Sequence, residues 1–484
     1  MANSLLGWSS QLRIYVMKKI IISFFTFVFT FIASGNIALA KLKTIKVEEP
    51  FTGQVLVEGL DNPWNIRYGP DDMLWVTERT GKRIVRVNPE TGIKKVALTI
   101  DEARAEGQHF GVLGMALTPD FLQKDSKNYV YVFYTYVPKD NNTEFGYKKL
   151  VRYQYDVKSE TLKNPTVILD KIPSGDDHNG GRVTFGPDGK IYLTLGELGH
   201  NQGKNAFKKN EAQRLPTAEE IQKGNYDSYV GKVLRINPDG SIPEDNPVLN
   251  GVKSHIFTYG HRNPQGIVVV GNKIFSSEHG PSSDDELNIL VSGGNYGWPH
   301  VAGFQDNQSY KFIDWSTAPK DAVVDPNVPD PRVKVYLESD WKAPENYKDP
   351  IKTFYTVREG YNYHDGDIYG DISYVEWPTV APSSINYYAD GPMKGWENSI
   401  LMTTLKAGTL FRIKLNNQKD NVQGEVATFF HTPNRYRDIA ISPDGSTFYI
   451  LTDSAGSARG IDLKPTTKLQ NPGSILMIKY NGSK

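Results

Sequence analysis

The sequence predicts an all-β protein, a propeller with long functional loops. One unit recurs along the chain. Residues 68–78, 185–195 and 441–451 each open on a turn, Gly69-Pro70-Asp71, Gly186-Pro187-Asp188 or Ser442-Pro443-Asp444, and run into a short stretch rich in β-branched and aromatic residues. Proline presets the turn and aspartate bonds back to its own backbone, so each turn delivers the chain into a strand. Partner strands are expected at 81–88, 231–237, 408–415 and 473–480, where aliphatic and basic residues alternate as on a half-buried sheet. Helical periodicity is scarce. The clearest helix is 217–222, where Thr217 and Glu220 stand at capping-box spacing. Repetition of this kind reads as one body rather than several domains.

Residues 1–40 read as a signal peptide with an N-terminal extension. Lys18-Lys19 precede a largely apolar run at 20–32, and Ala38-Leu39-Ala40 stands before a cleavage point at Lys41. Residues 1–16 lie ahead of the natural-looking start at Met17, as an extended n-region or an early start assignment. The apolar run is short for a bilayer span, so residues 41–484 are expected to be soluble, periplasmic or secreted, and to form a single propeller domain. Removing Arg13, Lys18 and Lys19 from the 55 basic residues leaves 52 against 55 acids, a formal charge of −3. That balance implies no nucleic-acid or polybasic membrane partner. The absence of cysteine excludes disulfides, thiolate metal sites and a cysteine nucleophile. Divided over six blades, residues 41–484 give about 74 residues each, more than four bare strands need, which leaves long loops for function.

Three distant motifs supply a candidate base and a cluster of guanidiniums: Asp176-Asp177-His178-Asn179-Gly180-Gly181-Arg182, Gly260-His261-Arg262-Asn263-Pro264-Gln265-Gly266 and Asn434-Arg435-Tyr436-Arg437-Asp438. Arg435 and Arg437 are two residues apart, so on a strand they point to one face about 7 Å from each other. That spacing suits a polyanion. The alternative is that each arginine pairs with a nearby acid such as Asp438 on a solvated edge.

These motifs, with 229–237 and the following Asp239-Gly240-Ser241-Ile242-Pro243, Gly293-Gly294-Asn295-Tyr296-Gly297-Trp298-Pro299, and 377–384, resemble the soluble quinoprotein glucose dehydrogenases across nearly all of residues 41–484. The resemblance implies a six-bladed propeller, pyrroloquinoline quinone (PQQ) and calcium as cofactors, and a homodimer. PQQ carries three carboxylates, whose burial requires compensating cations with the planar fork of arginine favoured. By the family match Lys406, Arg435 and Arg437 hold the carboxylates, Arg262 and Asn263 lie near the quinone carbonyls, and Gln202 and Thr379 add neutral hydrogen bonds. The match puts calcium on the backbone oxygens of Gly280 and Pro281, with further calcium positions at Glu286 and Tyr296 and at Ala302, Phe304, Asp306 and Glu338. It makes His178 the general base, with Gln108 and Asp177 touching substrate or cofactor, and sets Tyr374 and Trp377 beside the sugar. The implied reaction oxidises the anomeric carbon of an aldose to the lactone, with Arg262 and calcium stabilising developing negative charge and an external acceptor taking the electrons.

Asp365, Asp367, Tyr369, Gly370 and Glu376 fall at positions 1, 3, 5, 6 and 12 of an EF-hand-like loop. Tyrosine is wrong at the third ligand position, and the prolines at 378 and 382 do not suit the flanking helix, so no EF-hand is expected. Two residues depart from the family pattern. Glu197 stands where aspartate is expected near the base, and Gly203 stands where a bulkier apolar residue can wall the sugar pocket. Two other functions are compatible with a propeller of this composition: a calcium-dependent lactonase and a non-catalytic sugar-binding protein.

Overall fold

The computed structural model describes residues 42–482 apart from 108, 140–142, 326 and 366. The expected signal peptide, residues 1–40, and Gln108 lie outside the described residues. Six sheets form the body, with innermost strands Pro63–Tyr68, Val112–Leu117, Val183–Phe185, Pro264–Val270, Pro382–Tyr388 and Tyr436–Ile441. Each innermost strand packs against the next and the last returns to the first, so the six sheets are blades around one axis. The second strands Leu74–Glu78, Ile191–Leu195, Ser399–Thr404 and Thr447–Thr452 are buried along their whole length, because each lies inside a blade covered on both faces. Their β-branched and aromatic residues fit such a surface. Apolar clusters lie between blades, as where Trp75 and Ile84 of one meet Met115 and Val130 of the next.

Ring closure is non-covalent. Lys43–Ile45 and Phe51–Val57 join the last blade outside the C-terminal strand Ile475–Tyr480, with Phe51 opposite Tyr480 and Val55 opposite Leu476. Both ends of the described chain are thereby held in one sheet, without a disulfide.

A single ion pair pins the axis. Arg182, fully buried, donates from Nη1 to Asp438 (2.7 Å), from Nε to the Gln265 carbonyl (2.9 Å) and from Nη2 to the Ser383 carbonyl (3.1 Å), and stacks over Trp64 at 4.3 Å. Asp438 also accepts from Asn65 Nδ2 and the Ile66 N–H, while Asn65 Oδ1 accepts from the Met115 N–H. All six innermost strands are stitched together by this network.

The expected local structure forms. The strands at 81–88, 231–237, 408–415 and 473–480 are present as Arg83–Val87, Lys232–Ile236, Leu410–Lys414 and Ile475–Tyr480. The helix is Ala218–Lys223, with Thr217 and Glu220 bonded reciprocally as a capping box. The EF-hand-like segment is instead a pair of 3₁₀ turns, Asp367–Glu376, kinked at Gly370.

Candidate active site

Inner strands that start at one end of the axis carry the site. The residues that open them, Trp64, Leu113, Gln265 and Arg437, line one cavity of about 320 Å³. The residues that close three of them, Tyr68, Tyr388 and Ile441, line a different one. A wider cavity of about 650 Å³ adjoins the first and shares His109, Asp177 and His178 with it. His178 therefore stands where a deep chamber meets a wide mouth.

His178 is held in a strained loop. Its φ is +41°, in the left-handed region that costs an L-residue roughly 1–2 kcal/mol. The loop fits only because Gly196 lies against it: a Cβ there would stand 2.0 Å from the His178 carbonyl oxygen. Glu197, fully buried, meets His178 Nδ1 at 2.5 Å, and its other oxygen accepts from Asn210 Nδ2 at 3.2 Å. With Nδ1–H donating to Glu197, the lone pair of the ring falls on Nε2. Gln202 lies along the ring edge, its Nε2 2.9 Å from Nδ1 and 3.3 Å from Nε2, while its Oε1 accepts from Arg262 Nη2 at 3.0 Å. The glutamate at 197 thus reaches the base directly despite its extra methylene.

Asp177 lies 3.6 Å from His178 Nε2 and 3.3 Å from His109 Nε2. Burial alone would raise its pKa, but the two rings, the His178 N–H and Arg262 hold it down at about 2. Asp177 is therefore a standing negative charge beside the base.

Arg262 is buried and sits 5.3 Å over the Trp298 ring. Among the described residues no carboxylate lies within ion-pair distance of it, its Nε has no hydrogen-bond partner, and burial lowers its pKa against the pull of Glu197 and Asp177. Arg435 and Arg437 pair with an acid as the alternative reading allowed, but the acid is Asp453 rather than Asp438: Arg435 Nε reaches it at 3.2 Å and Arg437 Nε at 2.7 Å. Asp438 is taken by Arg182 instead. Both side chains line the deep chamber. Arg79, whose pKa burial lowers to about 10, lines the same deep chamber. Its walls therefore set three guanidiniums, Arg79, Arg435 and Arg437, against two carboxylates, Asp177 and Asp453, and Arg262 lines the adjoining cavity with no carboxylate at ion-pair distance among the described residues. A buried excess of positive charge fits a ligand bearing several carboxylates.

The other expected residues fall into three groups. Tyr374 and Asn263 line the deep chamber, and Gln202, Arg262, Pro281 and Trp377 the wide one. Tyr374 and Trp377 meet edge to face at 6.4 Å, with Trp377 Nε1 donating to the Tyr363 carbonyl. Lys406 lines neither chamber. Its Nζ donates to Thr379 Oγ1 and to the carbonyls of Tyr374 (3.1 Å) and Trp377 (2.7 Å), so it anchors the loop bearing both aromatics. Burial lowers its pKa and raises that of Asp285, each opposed by the other. Gly280, Pro281, Glu286, Tyr296 and Ala302 converge with Arg262 on a small void. The Tyr296 hydroxyl is used by Ile289 and Val291, which leaves only its carbonyl for a cation. Glu338 accepts from the N–H groups of Ala302, Asp306 and Asn307, and burial lifts its pKa to about 7. Phe304 lies in that same loop, with its side chain exposed. Hard oxygen donors thus gather at 280–286 and 302–306, as a calcium ion requires, although no cluster of three or more acid or histidine side chains at metal distance is found among the described residues. Arg79, His109 and Asp453 were not anticipated. None carries a local signal, and each reaches the chamber from a different blade.

The glucose/sorbosone dehydrogenase family matches residues 60–328 and 345–460. The chain belongs to that family. It is 43% identical over 443 residues to quinoprotein glucose dehydrogenase B of Acinetobacter calcoaceticus, covering 89% of this chain and 91% of the relative. It is 26% identical over 410 residues to an aldose sugar dehydrogenase of Escherichia coli (strain K12), covering 83% of this chain and 90% of that one. Among solved structures, the PQQ-bound form of aldose sugar dehydrogenase from Streptomyces coelicolor superposes with a TM-score of 0.60 at 25% identity, covering 90% of this chain and 99% of that one. The propeller and the family agree with the sequence reading.

Proposed function

We propose that this protein is an exported, calcium-dependent quinoprotein that oxidises glucose or related aldoses at the anomeric carbon to the lactone. The observation that carries the reading is the pairing of a tautomer-fixed His178 with a neighbouring chamber of surplus guanidinium charge. A lactonase or a simple sugar-binding propeller has no need of that surplus.

Arg435, Arg437 and Arg79 would hold the carboxylates of PQQ, and Arg262, with its free Nε, would lie at the quinone end beside Asn263 and Gln202. Lys406 and Thr379 act from behind, by fixing the loop that carries Tyr374 and Trp377. The carbonyls of Gly280 and Pro281 would hold the calcium nearest that end; Glu286 with Tyr296, and Glu338 with the 302–306 loop, would hold others. When bound, PQQ supplies the hydride acceptor and calcium polarises it.

The residues of the chain perform the rest. His178 Nε2 accepts the proton of the anomeric hydroxyl, and Glu197 stabilises the imidazolium through Nδ1. Asp177, ionised, further favours the cationic ring and can accept a sugar hydroxyl. Trp377 and Tyr374 offer faces and edges to the pyranose ring. Nothing lies within 4 Å of a Cβ built on Gly203, so this wall of the mouth is open. An external electron acceptor would complete the turnover. The test adds PQQ and calcium to purified apoprotein and follows sugar-dependent dye reduction. Dye reduction that requires sugar, quinone and metal is expected. Lactone hydrolysis without quinone, or sugar binding with no reduction, would establish one of the other readings. Size-exclusion chromatography with light scattering tests the homodimer, and cell fractionation the exported location.

A further inference from the structure

A further cavity, of about 630 Å³, lies between the 209–214 loop and the insertion that leads to 341. Two aromatic pairs shape it. Trp341 is stacked on His300 with centroids 5.2 Å apart and planes 11° from parallel, and Tyr336 on Phe312 at 5.7 Å and 21°. The second pair is set by strand register, since Phe312–Asp314 and Lys334–Tyr336 form a two-stranded ribbon with Phe312 opposite Tyr336. Phe312 is buried, whereas Tyr336 remains 37% exposed.

Polar groups complete the walls. Glu211 Oε2 is buried with no hydrogen-bond partner, its nearest cation being Arg214 Nε at 3.8 Å. Asp314 and Asp340 add two further carboxylates. Against these three acids stand Lys209 and Arg214, and Arg214 is already engaged by Glu220. The balance disfavours a phosphate or carboxylate ligand. Flat aromatic surface with carboxylates that accept hydroxyl hydrogens suits a neutral, polyhydroxylated ring.

We propose that this cavity is a second, non-catalytic saccharide site that takes a pyranose ring of a neutral sugar. It stands on its own lining chemistry and does not depend on the oxidation reaction. It is nonetheless tied to the base, because Asn210 lines it and donates to Glu197, which holds His178.

The experiment uses methyl β-D-glucopyranoside, whose blocked anomeric carbon prevents oxidation, and the full chain loaded with PQQ and calcium. Saturation-transfer NMR titrations are run in a Trp377→Ala background to weaken binding at the mouth. Saturable binding is expected to survive in that background, to weaken at least tenfold when Trp341→Ala is added, and to weaken about threefold with Asp340→Asn or Tyr336→Ser. The last two alter exposed side chains and decide the matter if Trp341→Ala does not fold. Absence of saturable binding in the Trp377→Ala protein overturns the proposal. So does binding that none of the cavity substitutions weakens, and so does a change from dimer to monomer on Trp341→Ala with glycoside binding intact, which would make this face a contact between copies.

Discussion

Arg182 and Arg262 come from neighbouring motifs and are both buried, yet the fold treats them in opposite ways. Arg182 meets one carboxylate and two carbonyls and stacks on Trp64, so its donors converge on the innermost strands. Among the described residues Arg262 has no carboxylate within ion-pair distance, and its buried Nε has no partner. Desolvating a guanidinium without compensation is costly, so a buried arginine left incomplete marks a place where a ligand completes the set. Arg435 and Arg437 stand between these extremes, since they share one carboxylate.

The sharpest way to break this contrast is Arg182→Met. It leaves Asp438 buried and unpaired, and unfolding in urea should show a loss of about 3–5 kcal/mol. Arg262→Met should change stability by less than about 1 kcal/mol while abolishing quinone binding. Equal destabilisation by the two substitutions would end the distinction. His178→Gln should retain the quinone yet slow its reduction on the order of 10²-fold, measured by stopped flow in loaded protein with sugar deuterated at the anomeric carbon. Wild-type rates there would move the base to Asp177.

If calcium binds as proposed, its chelation should lower the thermal midpoint and release quinone, because a ligand that binds only the folded chain stabilises it. Full quinone retention in metal-free protein would count against calcium at Gly280 and Pro281. In quinone titrations Arg435→Lys should fall between wild type and Arg435→Ala, since lysine keeps the charge but loses the fork. A wild-type titration curve would remove bidentate binding.

The smallest effect concerns Asp177. Its folded pKa, about 2, lies below the unfolded value near 3.9, so its contribution is present above about pH 4 and is lost as pH falls toward 2. Asp177→Asn should therefore flatten the acid limb of the stability curve between those pH values. An unchanged limb would mean that the carboxylate is not held by His178, His109 and Arg262.

The Pro-Asp turns, the strands that flank them and the helix Ala218–Lys223 were legible in the sequence, because their causes are local. The Pro-Asp turn before Leu74 needs only adjacent residues, the alternation over 473–480 only its own strand, and the Thr217–Glu220 cap a span of three positions. The sequence also marked His178, Arg262, Arg435 and Arg437, whose motifs are compact. Tertiary structure decided what each of these side chains meets. Asp453 lies 16 residues from Arg437 and comes between the two arginines only through the closing blade. Asp438, adjacent to Arg437 in sequence, is drawn to the axis by Arg182, 256 residues away. Arg79 and His109 enter the chamber from loops outside the three site motifs, and Lys406 is turned by its loop toward carbonyls. Charge pairing in a propeller is set by which loops the ring brings to one end of its axis, and that closure is a property of all six blades together.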